Sequence, residues 1–133
     1  MSATDLLAAI PLFSKLSKRD LARLAKATHE TDYAAATVLS SDGEAGRFFF
    51  VIVEGEARVD VKGEQVRTLG PGDYFGEMAL IDRGPRSATV TATSPMRCLV
   101  LTQMEFRPFA TEQPDVAWAL LEAMVQRVRD IES

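Results

Sequence analysis

The amino-acid sequence predicts an α+β fold that is mainly β, with a sandwich or jelly roll of short strands between two helical ends. All eight glycines lie between Gly43 and Gly84, where such dense turn residues indicate many short strands. Apolar side chains recur at helical spacing before this glycine-rich stretch and again after it. Helices are therefore expected at both ends and β-structure in the middle.

The N-terminal end predicts a short helix, a turn broken at Pro11, and then a capped helix of about ten residues. Ser17 precedes Asp20 at the spacing of an N-terminal capping pair, and Leu21 and Leu24 follow on one helical face. This end is therefore expected to form an apolar helical element.

The middle of the chain shows the period-two alternation of a half-buried strand. Ala57, Val59 and Val61 point one way, and the strand is expected to turn back at Gly63 as a hairpin. The apolar run 48–53 predicts a buried strand. Further strands are expected, on their content of β-branched, leucine and aromatic residues, at Glu30–Tyr33, Thr37–Leu39, Ser87–Ala92 and Arg97–Leu101.

The C-terminal end predicts two helices. A short helix ends at 113–114, and Asp115 is expected to cap a long amphipathic helix. An apolar stripe on this helix is expected to be mostly core, together with Trp118, although it could also cover a ligand or pair with a second subunit. The stripe consists of Leu121, Met124, Val125, Val128 and Ile131.

Composition excludes several classes of function. The 133 residues carry a net charge of −4 and a pI near 5.0, which disfavours general nucleic-acid binding. A single cysteine, Cys98, and a single histidine, His29, leave no disulfide and no zinc or iron cluster. A jelly-roll metal oxygenase would need a second histidine or its equivalent. No catalytic residue and no metal ligand is therefore predicted.

The sequence also predicts a cytoplasmic setting. No apolar run approaches the roughly 20 residues of a membrane-spanning helix, so no membrane span is expected. The first ten residues lack the basic region of a secretory signal. The length fits one domain over residues 1–133.

The stretch 69–90 contains the residues that are candidates for binding a ligand, and its sequence is LGPGDYFGEMALIDRGPRSATV. Gly76 precedes Glu77, which opens a short helix-like run, and such a start exposes N–H groups that bind phosphate. Arg86, beyond a turn at 84–85, offers a guanidinium fork for phosphate. Glu77 would repel a phosphate unless it accepts hydrogen bonds from neutral hydroxyls. The combination indicates a nucleotide whose sugar and phosphate form one compact unit.

The segments 75–80 and 85–90 closely resemble the phosphate-binding cassette of the cyclic nucleotide-binding domain family. The resemblance covers nearly the whole chain and implies an eight-stranded antiparallel β-roll, or jelly roll, with N-terminal helices and two C-terminal helices. The implied parts are an N-terminal helical element at 1–29, the β-roll at 30–102 with its cassette at 75–88, and C-terminal helices at 103–133.

The same resemblance implies how a ligand is held. Glu77 would accept from the ribose 2′-hydroxyl and Arg86 would pair with the exocyclic phosphate oxygens of cAMP or cGMP, with no other cofactor. The resemblance favours cAMP over cGMP, and Ser87 decides little between them, because its hydroxyl occurs in family members of either preference. The other implied binding residues are Phe75, Gly76, Met78, Ala79, Pro85 and Ala88, and Arg127 and Val128 are candidates for a lid.

The function implied is a regulatory module whose ligand moves the C-terminal helix. Two alternatives stay open: Glu77 and Arg86 could be a surface ion pair, and the chain could be a ligand-free interaction or dimerisation domain of the same fold. Unlike the family's transcription factors, this sequence shows no helix-turn-helix after its long helix, so no direct DNA binding is expected. Output would then pass through a homodimer of the C-terminal helix or through an effector domain outside this chain.

Overall fold

The computed structural model describes residues 2–44, 47–82, 86 and 88–132, without the side chains of Met78 and Glu132. Its helices are α1 (Ala3–Ala8), α2 (Lys18–Ala27), α3 (Gln103–Glu112) and α4 (Pro114–Glu132), and single 3₁₀ turns lie at Pro11–Phe13 and Glu77–Leu80. Its strands are β1 (His29–Tyr33), β2 (Val38–Ser40), β3 (Phe48–Glu54), β4 (Ala57–Val61), β5 (Glu64–Leu69), β6 (Tyr74–Phe75), β7 (Thr89–Ala92) and β8 (Met96–Thr102).

The eight strands form two four-stranded antiparallel sheets, in the orders β1-β8-β3-β6 and β2-β7-β4-β5. This confirms the predicted mainly β, α+β fold with two C-terminal helices. The chain divides into two compact units: the β unit from His29 to Gln103, and a helical unit of the residues up to Thr28 and from Met104 onward.

Side chains from both sheets of the β unit form one core. Since successive residues of a strand point to opposite faces, every second residue of β3, β4, β7 and β8 enters it. The core residues are Phe50, Ile52, Ala57, Val59, Leu69, Phe75, Val90, Ala92, Met96, Cys98 and Val100.

The predicted hairpin is confirmed. Strands β4 and β5 pair around Lys62 (φ 52°) and Gly63 (φ 81°), and two successive positive φ angles are typical of the type I′ turn that suits hairpins. The sequence did not predict the β-bulge beyond this turn. Val59 pairs with Arg67 while the next residue of β4 pairs with Gln65, so Val66 is an extra residue in β5.

The predicted strand bounds differ from the observed ones by one residue at β1, β2 and β8, and the larger differences are at β7 and β6. Strand β7 begins at Thr89 rather than Ser87, and Ser87 lies outside the described residues. Tyr74 and Phe75, expected only as an apolar anchor, pair with β3 and form the two-residue strand β6.

The helical unit confirms the capped helix α2. The Ser17 side chain accepts a hydrogen bond from the Asp20 N–H at 3.1 Å, and Leu21 and Leu24 are buried. The 3₁₀ turn at Pro11–Phe13 packs against α4, and the rings of Phe13 and Phe106 lie 6.2 Å apart.

Helix α4 corrects the predicted cap. The helix begins at Pro114, one residue before Asp115, because proline suits the first helical position, where its missing N–H is not needed. The carbonyl of Gln113 accepts the first hydrogen bond, from the Val116 N–H at 2.9 Å. Asp115 lies in the first turn, where its charge complements the helix dipole.

The predicted core face of α4 is wrong. Trp118 is 66% exposed, and Leu121, Val125, Val128 and Ile131 are each more than half exposed. The buried stripe consists of the smaller side chains Val116, Ala119 and Ala123 with Leu120. Both stripes recur at helical spacing, so periodicity alone could not show which one packs.

We expect Gly55→Ala to lower the free energy of unfolding by more than about 3 kcal/mol. Gly55 has φ 94°, and a Cβ there would collide with the Pro95 carbonyl oxygen and lie 2.9 Å from the Met96 Cα. Urea unfolding followed by circular dichroism measures the loss.

Gly63→Ala is the matched control, because Gly63 also has a positive φ (81°) but open space around the added Cβ. Backbone strain alone should cost this variant about 1–2 kcal/mol. Equal losses in the two variants would show that the contact at Gly55 does not contribute.

Candidate functional site

The cassette begins where β6 passes into the 3₁₀ turn at Glu77–Leu80. Phe75 pairs with Phe50 across the sheet, and their rings stack at 4.7 Å. Gly76 follows with φ 84°, and the Ala79 N–H donates to its carbonyl at 3.0 Å, which closes the turn. The turn packs against β3, so the start of the cassette is anchored on the core strand.

Arg86 is held by backbone groups at both ends of the residue. Its N–H donates to the Glu44 carbonyl at 2.8 Å, and its carbonyl accepts from the Gly43 N–H at 2.8 Å. Its guanidinium Nη2 donates to the carbonyl oxygen of Phe48, at the start of β3. The loop after β2 therefore positions the backbone, and β3 positions the side chain.

The guanidinium of Arg86 lies against the backbone of Gly76. A Cβ at Gly76 would collide with Nη1 of Arg86 and would lie 2.6 Å from the Phe48 carbonyl oxygen. Gly76 is therefore required both by its positive φ and by this close approach.

The electrostatics of the site are those of a partly desolvated cation beside an acid. Desolvation lowers the pKa of the half-buried Arg86 guanidinium from its ordinary value, and the negative charge of Glu77 opposes that shift. A cation that has already lost part of its hydration binds an anion at a smaller further desolvation cost.

The structure brings three of the predicted ligand-binding residues together, Gly76, Glu77 and Arg86. Phe75 and Ala79 are buried, and Ala88 packs against the core between the sheets. Pro85, Ser87 and the side chain of Met78 lie outside the description. Arg127 and Val128 are exposed residues of α4, in the helical unit.

Sequence reasoning missed the groups that position Arg86, namely the carbonyls of Phe48 and Glu44 and the N–H of Gly43. All three are backbone groups, which every residue carries, so no residue type marks them. The only signal was Gly43, which reads as an ordinary turn glycine.

The described residues were also compared with three other features: a reactive thiol, a metal site and a membrane-spanning helix. Burial raises the pKa of the Cys98 thiol to about 11, so this thiol stays neutral and unreactive near pH 7. No group of three or more His, Cys, Asp or Glu among the described residues could hold a metal ion. Among those residues, no helix is both long and apolar enough to cross a membrane.

Comparison with known families decides the identity of this cassette. The profile of the cyclic nucleotide-binding domain matches residues 30–113, which include α3 and all of the β-roll except His29. The chain belongs to the cyclic nucleotide-binding domain family.

Relatives of this cyclic nucleotide-binding domain occur within larger proteins. A cyclic nucleotide-gated potassium channel of Rhizobium etli is 37% identical over 123 residues, which are 92% of this chain and 34% of the channel. A cAMP-dependent protein kinase regulatory subunit of Eremothecium gossypii is 41% identical over 104 residues, 77% of this chain and 23% of the subunit. The chain thus spans about a third or less of these relatives.

A solved structure shows the same architecture over nearly its full length. The N-terminal domain of a transcriptional regulator from Streptomyces coelicolor superposes with a TM-score of 0.87 at 31% identity, covering 96% of this chain and 94% of that one. This chain therefore shares the fold of that regulator domain.

We expect alkaline destabilisation of this domain to depend in part on Cys98. The pKa of the thiol is about 11 in the folded domain against 9.0 for an ordinary cysteine, so between these values only the unfolded chain loses the proton. The contribution is complete below about pH 9 and declines as the pH rises to about 11, by up to about 2–3 kcal/mol. Urea unfolding at pH 8 and at pH 10.5 measures it.

Cys98→Ala is the comparison, because it removes the titrating thiol. It also removes the charge of Cys98, which is the smaller of the two causes that raise the pKa of Tyr33, and leaves desolvation, the larger cause, in place. The variant should be less stable at pH 8 but should lose less stability on going to pH 10.5. Parallel losses in both proteins would contradict the prediction.

Proposed function

We propose that this domain is a regulatory module that binds a 3′,5′-cyclic purine nucleotide, with the phosphate at Arg86 and the ribose 2′-hydroxyl at Glu77. The observation that carries the proposal is the half-buried guanidinium of Arg86, which lies against Gly76 at the start of a 3₁₀ turn and beside the Glu77 carboxylate.

The phosphate contact follows from the donors that Arg86 presents. One N–H on Nη2 goes to the Phe48 carbonyl, and a guanidinium carries further donors for a two-point contact with phosphate oxygens. The 3₁₀ turn adds backbone N–H groups at its first residues. The Ala79 N–H already donates to Gly76, so a phosphate would have to share that bond.

The role of Glu77 follows from its charge. A carboxylate beside a phosphate is tolerated only where a cation lies between them or where the carboxylate accepts hydrogen bonds from neutral donors. Arg86 is the neighbouring cation, and the ribose 2′-hydroxyl is the neutral donor that a cyclic nucleotide brings. Glu77 would then distinguish ribose from deoxyribose.

The choice of base is a separate question. The sequence favours cAMP over cGMP, but Ser87 decides little between them and lies outside the described residues. Both cyclic nucleotides should therefore be titrated.

The regulatory role is supported by the relatives, whose names describe a channel gated by cyclic nucleotides and a cAMP-dependent kinase subunit. We propose that residues 1–29, the β-roll at 30–102 and the helices at 103–133 act as one cytoplasmic, non-catalytic sensing domain. Ligand binding would be coupled to movement of α4, with Arg127 and Val128 as candidate lid residues.

Exposed side chains on α4 support a homodimer as one way in which ligand binding could be passed on to other parts of the system. Trp118, Leu121, Val125 and Val128 are each more than half exposed. Their spacing of three, four and three residues is that of the a and d positions of a coiled coil. We propose that this seam pairs with a second copy, and the alternative is that it docks on an effector domain outside this chain.

Isothermal titration calorimetry with cAMP and cGMP tests the binding site. Arg86→Leu should weaken binding at least about 100-fold, because it removes two charged hydrogen bonds. Glu77→Gln should weaken binding about tenfold, since a neutral amide accepts a weaker hydrogen bond. The Glu77→Gln effect should disappear with the 2′-deoxy analogue of the same nucleotide, which lacks the hydroxyl donor.

Arg58→Leu is the matched control, because Arg58 is an arginine of the same β unit whose guanidinium pairs with Asp60 at 2.9 Å, away from the cassette. It should leave the affinity unchanged. Failure of the wild-type domain to bind either nucleotide at millimolar concentration would refute the proposal.

Light scattering over a range of protein concentrations tests the α4 seam. Leu121→Lys should convert a dimer to a monomer, since it places a charge in the apolar seam. Gln126→Glu, on another face of α4, should leave the mass unchanged. A wild-type domain that stays monomeric at every concentration, with and without nucleotide, would exclude the homodimer.

A further inference from the structure

Helix α2 carries a basic face on its solvent side. In the segment 15–26, which covers most of this helix and the residues just before it, five residues are basic and only Asp20 is acidic. The chain has 15 basic and 19 acidic residues in all, which leaves ten basic against eighteen acidic residues elsewhere. The members of this basic face are Lys15, Lys18, Arg19, Arg23 and Lys26, and all five are exposed.

The helical period brings these side chains to one side of α2. At about 100° per residue, the four members within the helix cover an arc of about 140°, whose centre lies opposite the buried Leu21 and Leu24. Ala22 is the other residue within that arc, and it is exposed. From Lys18 to Lys26 the helix rises about 12 Å. The basic side chains therefore project together from the half of α2 that does not pack.

These charges do not stabilise the helix that carries them. Within the described part of the chain, none of the five takes part in an ion pair. Lys18 and Arg19 lie in the first turn, where the helix dipole disfavours cations. Arg19 and Arg23 are four residues apart, a spacing at which like charges repel, although Arg23 also lies 5.8 Å from the centre of the Phe109 ring. Such local costs are expected where residues are kept for a function.

The composition and shape of the basic face indicate the kind of partner. Within its arc it has only Lys, Arg and Ala, so it lacks the aromatic or large apolar side chains that fill pockets in protein partners. Because Leu21 and Leu24 are buried, one side of α2 is embedded in the helical unit, and the helix cannot enter the roughly 8.5 Å depth of a DNA major groove. All five side chains can reach a flat anionic surface together.

We propose that the basic face of α2 docks this domain on a membrane surface that is rich in anionic phospholipids. The helix would lie parallel to the membrane, with its Lys and Arg side chains among the headgroups and its leucines in the protein core. The contact is peripheral and electrostatic, without an inserted apolar face. Each Lys or Arg near such a surface strengthens binding about fivefold.

The acidic remainder of the chain does not prevent this contact. At about 0.1 M salt, charges more than about 10 Å from the headgroups are largely screened, whereas the five basic side chains are in contact with them. The remaining exposed surface carries an excess of acidic residues, so other orientations are repelled. The domain would therefore meet the membrane in one orientation. The inference is independent of the proposed nucleotide site, which lies in the β unit.

Flotation of the whole chain with lipid vesicles tests the proposal. At about 0.1 M salt, the wild type should float with phosphatidylcholine vesicles that contain about 30% phosphatidylserine, and not with vesicles of phosphatidylcholine alone. Binding should be lost at about 1 M salt, where the screening length falls to about 3 Å. Flotation with both kinds of vesicle, or with neither, would overturn the proposal.

Charge reversal in the first turn of α2 separates binding from folding. Lys18→Glu combined with Arg19→Glu should weaken vesicle binding at least about 25-fold, since two attractive charges are removed. The same variant should be at least as stable as the wild type in urea, because carboxylates in the first turn suit the helix dipole. Arg19→Glu also places a carboxylate four residues before Arg23, which is a favourable spacing. Lys26→Gln, a milder variant in the last turn, should weaken binding about fivefold.

Arg107→Glu combined with Arg129→Glu is the matched control. It changes the net charge by the same amount, at exposed arginines of α3 and α4. It should lower vesicle binding by no more than about twofold. Equal losses in the two double variants would overturn the proposal, because net charge rather than the basic face of α2 would then decide binding.

Other anionic partners are outcomes of the same experiment. If duplex DNA or poly-glutamate binds the wild type more tightly than the phosphatidylserine vesicles do, the basic face serves a nucleic acid or an acidic protein, and the membrane proposal is overturned. Calorimetry with cAMP and cGMP should give the same affinities for the α2 double variant and the wild type. A wild type that floats with anionic vesicles but binds neither nucleotide would refute the proposed function and leave this inference standing.

Discussion

The antiparallel register that pairs Phe50 of β3 with Phe75 of β6 is the constraint on which the rest of the β unit depends. Their stacked rings fill the core between the sheets. The same register places Gly76 next to the start of β3, where Phe48 offers its carbonyl to Arg86. Strand β3 therefore contributes to both the core and the site. A shift of one residue in its pairing with β6 would move Gly76 away from the Phe48 carbonyl.

The site itself is built largely from backbone. The loop residues Gly43 and Glu44 hold the main chain of Arg86, and Gly76 leaves room for its guanidinium. For the proposed phosphate contact, this arrangement would allow a protein of net charge −4 to bind an anion. The local field of one partly desolvated arginine and a turn start acts at short range, whereas the distributed charge is screened over about 10 Å. In the proposed function, the charge of Glu77 would limit the site to anions that also carry a hydroxyl donor.

The parts predicted correctly from sequence are those in which a local pattern has one structural solution. The alternation from Ala57 to Val61 with Gly63 allows only a hairpin, and the Ser17 cap marks one helix start. Helix α4 has two solutions, because its sequence carries two apolar stripes at the same period. Packing selected the stripe of small residues around Ala119 and left Trp118 exposed. Spacing along one helix contains no information about which neighbour it meets.

The sequence by itself determined the two-sheet fold, the order of its elements and the chemical groups of the cassette, because hydrophobic period, turn residues and the types of Glu77 and Arg86 are local properties. Only the tertiary structure decided how those groups are held and what faces them. The contact between Arg86 and Phe48 joins residues 38 positions apart, and the bulge at Val66 of β5 is defined by its pairing with β4. Both depend on strand pairing, which brings together backbone groups that no residue type in the sequence marks.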